Sequence, residues 1–157
     1  MPDLFDKNIC CAFTGHRPDK LDIPERRIRA LLKKEILAAY RDGFTVFISG
    51  AAEGVDLWAA DIVIKLRKSY PDIKLICAVP FPDQKKTSAE YNQIIENADE
   101  VVIVCRHYFK GCFQVRNKWM VDHCSRLIAV WNGQPGGTKN TIDYAKRQQV
   151  VVINVLE

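Results

Sequence analysis

The chain has 157 residues, 48% of them hydrophobic and 27% charged, with 8 Gly and 7 Pro. That length suits one domain burying roughly 68–70% of its unfolded surface, and the composition excludes collagen-like, disordered and repeat-dominated classes. Lys and Arg number 23 against 19 Asp and Glu, a net charge of +4, which helps an anionic ligand approach but is too weak to argue for nucleic acid.

No apolar run, residues 101–105 included, approaches the ~20 residues that a bilayer span needs. Residues 1–7 lack a basic region leading into an apolar stretch, so no export signal is expected and the expected location is the cytoplasm. Cys10, Cys11, Cys77, Cys105, Cys112 and Cys124 lie mostly in apolar segments with no Cys-x-x-Cys pair. Free thiols acting as small hydrophobes are expected, rather than disulfides.

Six short apolar, β-branched runs fall at residues 8–14, 44–49, 73–79, 100–105, 127–131 and 150–155. Their nearly continuous apolar character reads as strands covered on both faces. Between the first two, residues 22–41 place Ile28, Leu32, Ile36 and Ala39 on one helical face, with Gly43 just past the end. A second helix follows Gly54, with Val55, Ala59, Ile62 and Leu66 inward, and stops before Pro71. The third starts near Thr87, which has capping-box spacing to Glu90, and turns Tyr91, Ile94, Ile95 and Ala98 inward. The fourth and fifth cover residues 114–123 and 138–147. Such alternation predicts a single Rossmann-like α/β domain over residues 1–157, a doubly wound, mostly parallel sheet with helices on both faces.

Ligands of open parallel sheets bind beyond the carboxyl ends of the strands. The first strand is followed there by Thr14, Gly15, His16 and Arg17, the second by Ser49, Gly50, Ala51, Glu53, Gly54, Val55 and Asp56. Pro80 and Phe81 follow the third, and Gly136, Gly137 and Thr138 follow the fifth. Glycine at a helix start exposes unpaired N–H groups to an anion, so these turns read as a phosphate-binding rim, although glycine also serves a tight turn without a ligand. None has the Gly-x-Gly-x-x-Gly spacing of a dinucleotide fold or the Gly-x-x-x-x-Gly-Lys-Ser/Thr phosphate loop. His16 could donate to a phosphate or satisfy a loop carbonyl. In the fourth helix Arg116 shares a face with Met120 and His123, beside Asn117. It is placed either to hold phosphate or carboxylate bidentately or to pair on the surface with Asp122 or Glu96.

The Thr14-Gly15-His16-Arg17-Pro18 turn, the Ser49 to Asp56 turn, Pro80-Phe81, the stretch from Arg116 to Asp122 and Gly136-Gly137-Thr138 together resemble the SLOG superfamily. Within it, the chain is similar to the YpsA-like proteins of bacteria. The resemblance covers nearly the whole chain and implies a Rossmann-like domain that binds a nucleotide or nucleotide-derived ligand, with a homodimer as the expected assembly. Relatives include the lonely-guy phosphoribohydrolases, which release a base from a nucleoside monophosphate, and the DprA proteins, which bind single-stranded DNA.

The phosphoribohydrolases carry Arg-x-x-x-Met and then Pro-Gly-Gly-x-Gly-Thr-x-x-Glu. Arg116 and Met120 match the first motif, and Pro135, Gly136 and Gly137 match the start of the second. Lys139 and Asn140 replace its Gly-Thr pair, and Asp143 falls on the catalytic glutamate. Aligning Gly136-Gly137-Thr138 as a shorter loop instead leaves no acid at that position. Arg116 and Asp143 are therefore the catalytic candidates for an N-glycosidase, with Asp56 and Glu53 in reserve. The leading expectation is a sensor or regulatory module that binds a mononucleotide or an ADP-ribose-like ligand.

No cofactor or metal is expected, because Cys105-x-His107 and His123-Cys124 lack a usual zinc spacing. Single-stranded nucleic acid ranks lowest among partners. The first helix offers Arg26, Arg27, Arg29, Lys33 and Lys34 without interleaved aromatics, the pattern of a solvated face. Trp58, Trp119 and Trp131 read as core or subunit-contact residues, and residues 108–113 as a flap over the pocket or a dimer contact.

Overall fold

The computed structural model describes residues 3–82 and 88–157. Six strands form one sheet: β1 (Cys10–Gly15), β2 (Val46–Ser49), β3 (Lys74–Val79), β4 (Glu100–Ile103), β5 (Arg126–Val130) and β6 (Val151–Asn154). Their order is β4-β3-β2-β1-β5-β6, and every pairing is parallel. The helices between them are α1 (Glu25–Arg41), α2 (Val55–Leu66), α3 (Ala89–Asn97), α4 (Cys112–Asp122) and α5 (Gly137–Arg147).

The continuous apolar character of β1 has the cause expected. Cys11 and Phe13 face a core shared with α1, α2 and α3, while Cys10 and Ala12 face a second core under α4 and α5. The outer strands β4 and β6 are less deeply covered, yet their ladders hold. Beyond β4, Val104 and Cys105 N–H still donate to the carbonyls of Val79 and Pro80 at 2.9 and 3.0 Å, so the run read from sequence overshoots β4 in name more than in bonding.

Helix boundaries follow from the caps. Pro24 occupies the N-cap of α1, which starts there rather than at residue 22. At its other end Gly43 adopts φ +102°, and Gly43 and Phe44 N–H return to the carbonyls of Tyr40 and Ala39. Those two bonds close the helix in a Schellman turn that needs the left-handed conformation. Helix α2 is buried almost all round, with Leu57, Trp58, Ala60 and Val63 joining the face read from periodicity, because it lies between α1, α3 and the sheet. Thr87 lies outside the described residues, and Ser88 caps α3 by accepting the Tyr91 N–H at 3.1 Å. Helix α4 begins at Cys112, two residues before the expected 114, with Cys112 fully buried.

This topology positions the site. From β1 the chain winds outward through β2, β3 and β4, then crosses back to β5 on the other side of β1 and on to β6. Connections leave β1 and β5 in opposite directions, so a crevice opens at their carboxyl ends, where open α/β sheets bind ligands. No helix among the described residues is long and apolar enough to cross a membrane.

Candidate functional site

A cavity of about 320 Å³ occupies that crevice. Thr14, Gly15, His16 and Arg17 leave β1 to form one wall, and Gly136, Gly137 and Thr138 at the start of α5 form another. Glu53 and Asp56 reach it from the start of α2, and Phe113, Arg116 and Asn117 from α4. Positions 113, 116 and 117 are spaced i, i+3, i+4, so one face of α4 presents all three.

The glycines divide into two kinds. A Cβ on Gly15 would lie 2.6 Å from Val55 Cγ2, and one on Gly54 would lie 2.7 Å from Pro18 Cδ. These two let the β1 turn pack against the start of α2, and Gly54 also holds φ +93°. A Cβ on Gly137, by contrast, would meet nothing within 4 Å among the described residues, leaving the first turn of α5 open to the cavity. Gly136 supplies no side-chain cap. The opening amides of α5 therefore keep their donors and the positive end of the helix dipole.

Arg116 is the central cation. It is 5% exposed, and its Nη1 donates to the carbonyls of Gly50 and Ala78 at 2.6 and 3.4 Å. Its Nε donates to Asn117 Oδ1 at 2.9 Å. The surface pairing with Asp122 or Glu96 does not form; Asp122 instead accepts from the Tyr144 hydroxyl at 2.7 Å. Gly50 brings Arg116 to the second turn, since a Cβ there would fall 2.7 Å from Asp56 Oδ2 and 3.0 Å from Arg116 Nη1. In that turn Ser49 Oγ donates to the Asp56 carbonyl at 2.8 Å and accepts the Ala51 N–H at 3.1 Å, while Asp56 Oδ2 accepts the Ala52 N–H at 3.3 Å. Ala51 takes a left-handed φ of +55° to complete it.

Enclosure governs the titration of these groups. Burial pushes the Asp56 carboxyl from 3.8 up to about 6, against the opposing pull of Arg116 and the Ala52 N–H. Burial also lowers the Arg116 guanidinium, countered by Asp56. His16 is 5% exposed, and burial lowers its pKa, partly offset by Asn132. Its backbone N–H donates to the Val130 carbonyl at 3.2 Å, but its buried Nε2 has no partner among the described residues.

The candidates thus separate. Thr14, Gly15, His16, Arg17, Asp56, Arg116, Asn117, Gly136, Gly137 and Thr138 meet at the cavity. Ser49, Gly50, Ala51, Gly54 and Val55 do not line it; they shape the turns that aim Asp56 and Arg116. Phe81 packs edge-on against Phe113 at 6.1 Å, and Pro80 accepts the Cys105 N–H. Asp143 stands apart: its carboxylate pairs with Lys139 at 2.7 Å and borders a shallow depression with Gln114 and Lys118. Helical spacing explains that position, because α5 turns Thr138, Thr141, Ile142 and Ala145 inward and leaves Asp143 half-exposed. Sequence reasoning did not place Phe13 or Lys20 at the site, and it reached Phe113 only as part of a segment read as a flap over the pocket or a dimer contact. Phe113 could have been found from its spacing to Arg116 and Asn117 had α4 been started at Cys112.

The model of the YspA SLOG family matches residues 11–153. Among curated proteins, the UPF0398 protein of Bacillus thuringiensis (strain Al Hakam) is 29% identical, covering 87% of this chain and 82% of the relative. That of Bacillus cereus (strain B4264) is 28% identical over the same shares. Among solved structures, DNA processing protein A from Helicobacter pylori, described for its single-stranded DNA binding mode, superposes with a TM-score of 0.66 at 19% identity. DprA from Streptococcus pneumoniae gives 0.69 at 20%. These matches cover 95% and 96% of this chain, which spans only 66% and 50% of those two chains.

Proposed function

The chain belongs to the YspA SLOG family, and from that premise we propose that it binds a nucleotide or nucleotide-derived ligand in the β1–β5 crevice, as a sensor or regulatory module. One observation carries the reading. The start of α5, without a side-chain cap, lines the same cavity as Arg17, Lys20 and Arg116, with His16, whose Nε2 has no partner among the described residues, in its wall. A phosphate there receives amide donors from Gly137 and Thr138 and the field of three cations. In the same cavity Glu53 and Asp56 supply acceptors for sugar hydroxyls. A cavity of about 320 Å³ is near the lower end of the ~300–1,000 Å³ range of small-molecule sites, which suits a mononucleotide better than a fully enclosed dinucleotide.

The regulatory role is favoured over turnover because Asp143, the acid of the enzyme-like motif, pairs with Lys139 away from the cavity. The place of Asp56 in the cavity wall favours a second reading, an N-glycosidase in which Asp56 takes the acid's role. Its carboxylate would stabilise the oxocarbenium-like sugar while water adds at C1′, the departing base takes the bond's electron pair, and the proton that the water loses ends on the base.

Ligand-observed proton NMR with AMP, GMP, CMP and ADP-ribose tests both readings. Broadening without new resonances is expected. Free-base signals that vanish in Asp56→Asn would establish the enzyme, and sharp lines for all four ligands would reject the site. Because the Helicobacter pylori neighbour is described as binding single-stranded DNA, a short oligonucleotide belongs in the panel. Affinity for it that collapses with added salt would move the reading to nucleic acid.

A further inference from the structure

We propose that Phe113 is the stacking platform for the ligand's base, held upright at the cavity mouth by Phe81 and Tyr108. This rests on the nucleotide reading and assigns the part of the ligand which that reading leaves without a partner. Phe113 lines the cavity yet remains 41% exposed, and Tyr108 beside it is 60% exposed. Large aromatic rings left in water are a cost unless something covers them.

The ring is braced rather than loose. Phe81 meets it at 6.1 Å and an interplanar angle of 79°, Tyr108 at 6.5 Å and 67°, and Phe81 and Tyr108 pack on each other at 5.4 Å. The Arg116 guanidinium lies 5.9 Å from the Phe113 centroid. Flat rings and guanidinium planes are the side chains on which unpaired bases stack. Asn117, one helical turn on from Phe113, accepts the Arg116 Nε–H through Oδ1, which leaves its amide NH₂ to donate to an acceptor on the base edge.

The occupant follows from what surrounds the ring. The same cavity holds the amides of α5 and the carboxylates of Glu53 and Asp56, so a ligand anchored there by phosphate and sugar has only its base left to bury. The aromatic group then contributes through area and stacking, which are tolerant of base identity, whereas Asn117 supplies discrimination.

Calorimetric titration of AMP, GMP, CMP and ribose 5-phosphate into wild type, Phe113→Ala and Phe113→Trp tests this, with thermal melts verifying that each variant folds. All four ligands carry the same phosphate and ribose, and only three carry a base. Phe113→Ala is expected to weaken the best-bound nucleotide by about 10- to 100-fold, to leave ribose 5-phosphate unchanged, and to be rescued by Phe113→Trp. Equal loss for ribose 5-phosphate and the nucleotides, or unchanged nucleotide affinity, overturns the platform while the nucleotide reading stands. Wild type that binds none of the four overturns that reading and the platform with it.

Discussion

Arg116→Ala is expected to lower stability by about 3 kcal/mol and to abolish nucleotide binding in the same protein. The guanidinium is buried and donates to the Gly50 carbonyl, 66 residues away in sequence, as well as to Asn117 and the Ala78 carbonyl. Truncation strands those acceptors and leaves the Asp56 carboxylate without the charge that offsets its burial. Lysine at this position keeps a charge but loses the planar fork, so Arg116→Lys should recover part of the stability and little of the binding. Urea melts alongside nucleotide titration measure both. A loss in stability below about 1 kcal/mol, the scale of an exposed ion pair, would show that Arg116 does not tie the turns together.

Asp56→Asn is expected to act in the opposite sense on stability. A carboxyl whose folded pKa lies near 6, above its ordinary 3.8, binds its proton more tightly in the folded chain. The stability that this proton contributes is therefore present below about pH 4 and is lost as pH rises through about 6, because the unfolded chain there has already released it. The amide is isosteric, can still accept the Ala52 N–H, and carries no charge to desolvate. At pH 7 the substitution should stabilise by about 2 kcal/mol, while at pH 4 it should change little. Affinity for ribose-bearing ligands should fall, since an acceptor for sugar hydroxyls is weakened. Melts of both proteins at pH 4, 5, 6 and 7 give the result, and parallel pH profiles would show that Asp56 titrates as an ordinary carboxyl. A group kept charged at a cost to the fold fits a role in function.

The sheet was legible in the sequence because its strands are apolar on both faces, a pattern that persists even at the less covered β4 and β6. Rim turns were legible because strand–turn–helix order alone puts them at one end of a parallel sheet. Two things were not. The Asp56–Gly50–Arg116 arrangement depends on Arg116 of α4 reaching the Gly50 and Ala78 carbonyls, a contact between distant segments that periodicity cannot show. Phe113 was legible only as part of a flap or dimer contact, because residues 108–113 are apolar without helical rhythm and the start of α4 read as loop. Asp143 shows the converse: one of the two motif alignments puts it on the catalytic position, but the helical phase of α5 turns it toward Lys139.

Whether a phosphate sits at the start of α5, as the proposed function requires, is decided by titrating AMP, GMP and CMP into wild type and Gly137→Asp. Position 137 is the first residue of α5, a Cβ added there would meet no atom of the described residues within 4 Å, and its backbone is not left-handed. An aspartate there favours the helix dipole by about 0.3–1 kcal/mol, so the melting temperature should hold or rise, while its charge repels the phosphate. The expected result is nucleotide binding by wild type and none by Gly137→Asp at undiminished stability. Equal affinity in the two proteins would contradict a phosphate at this helix start.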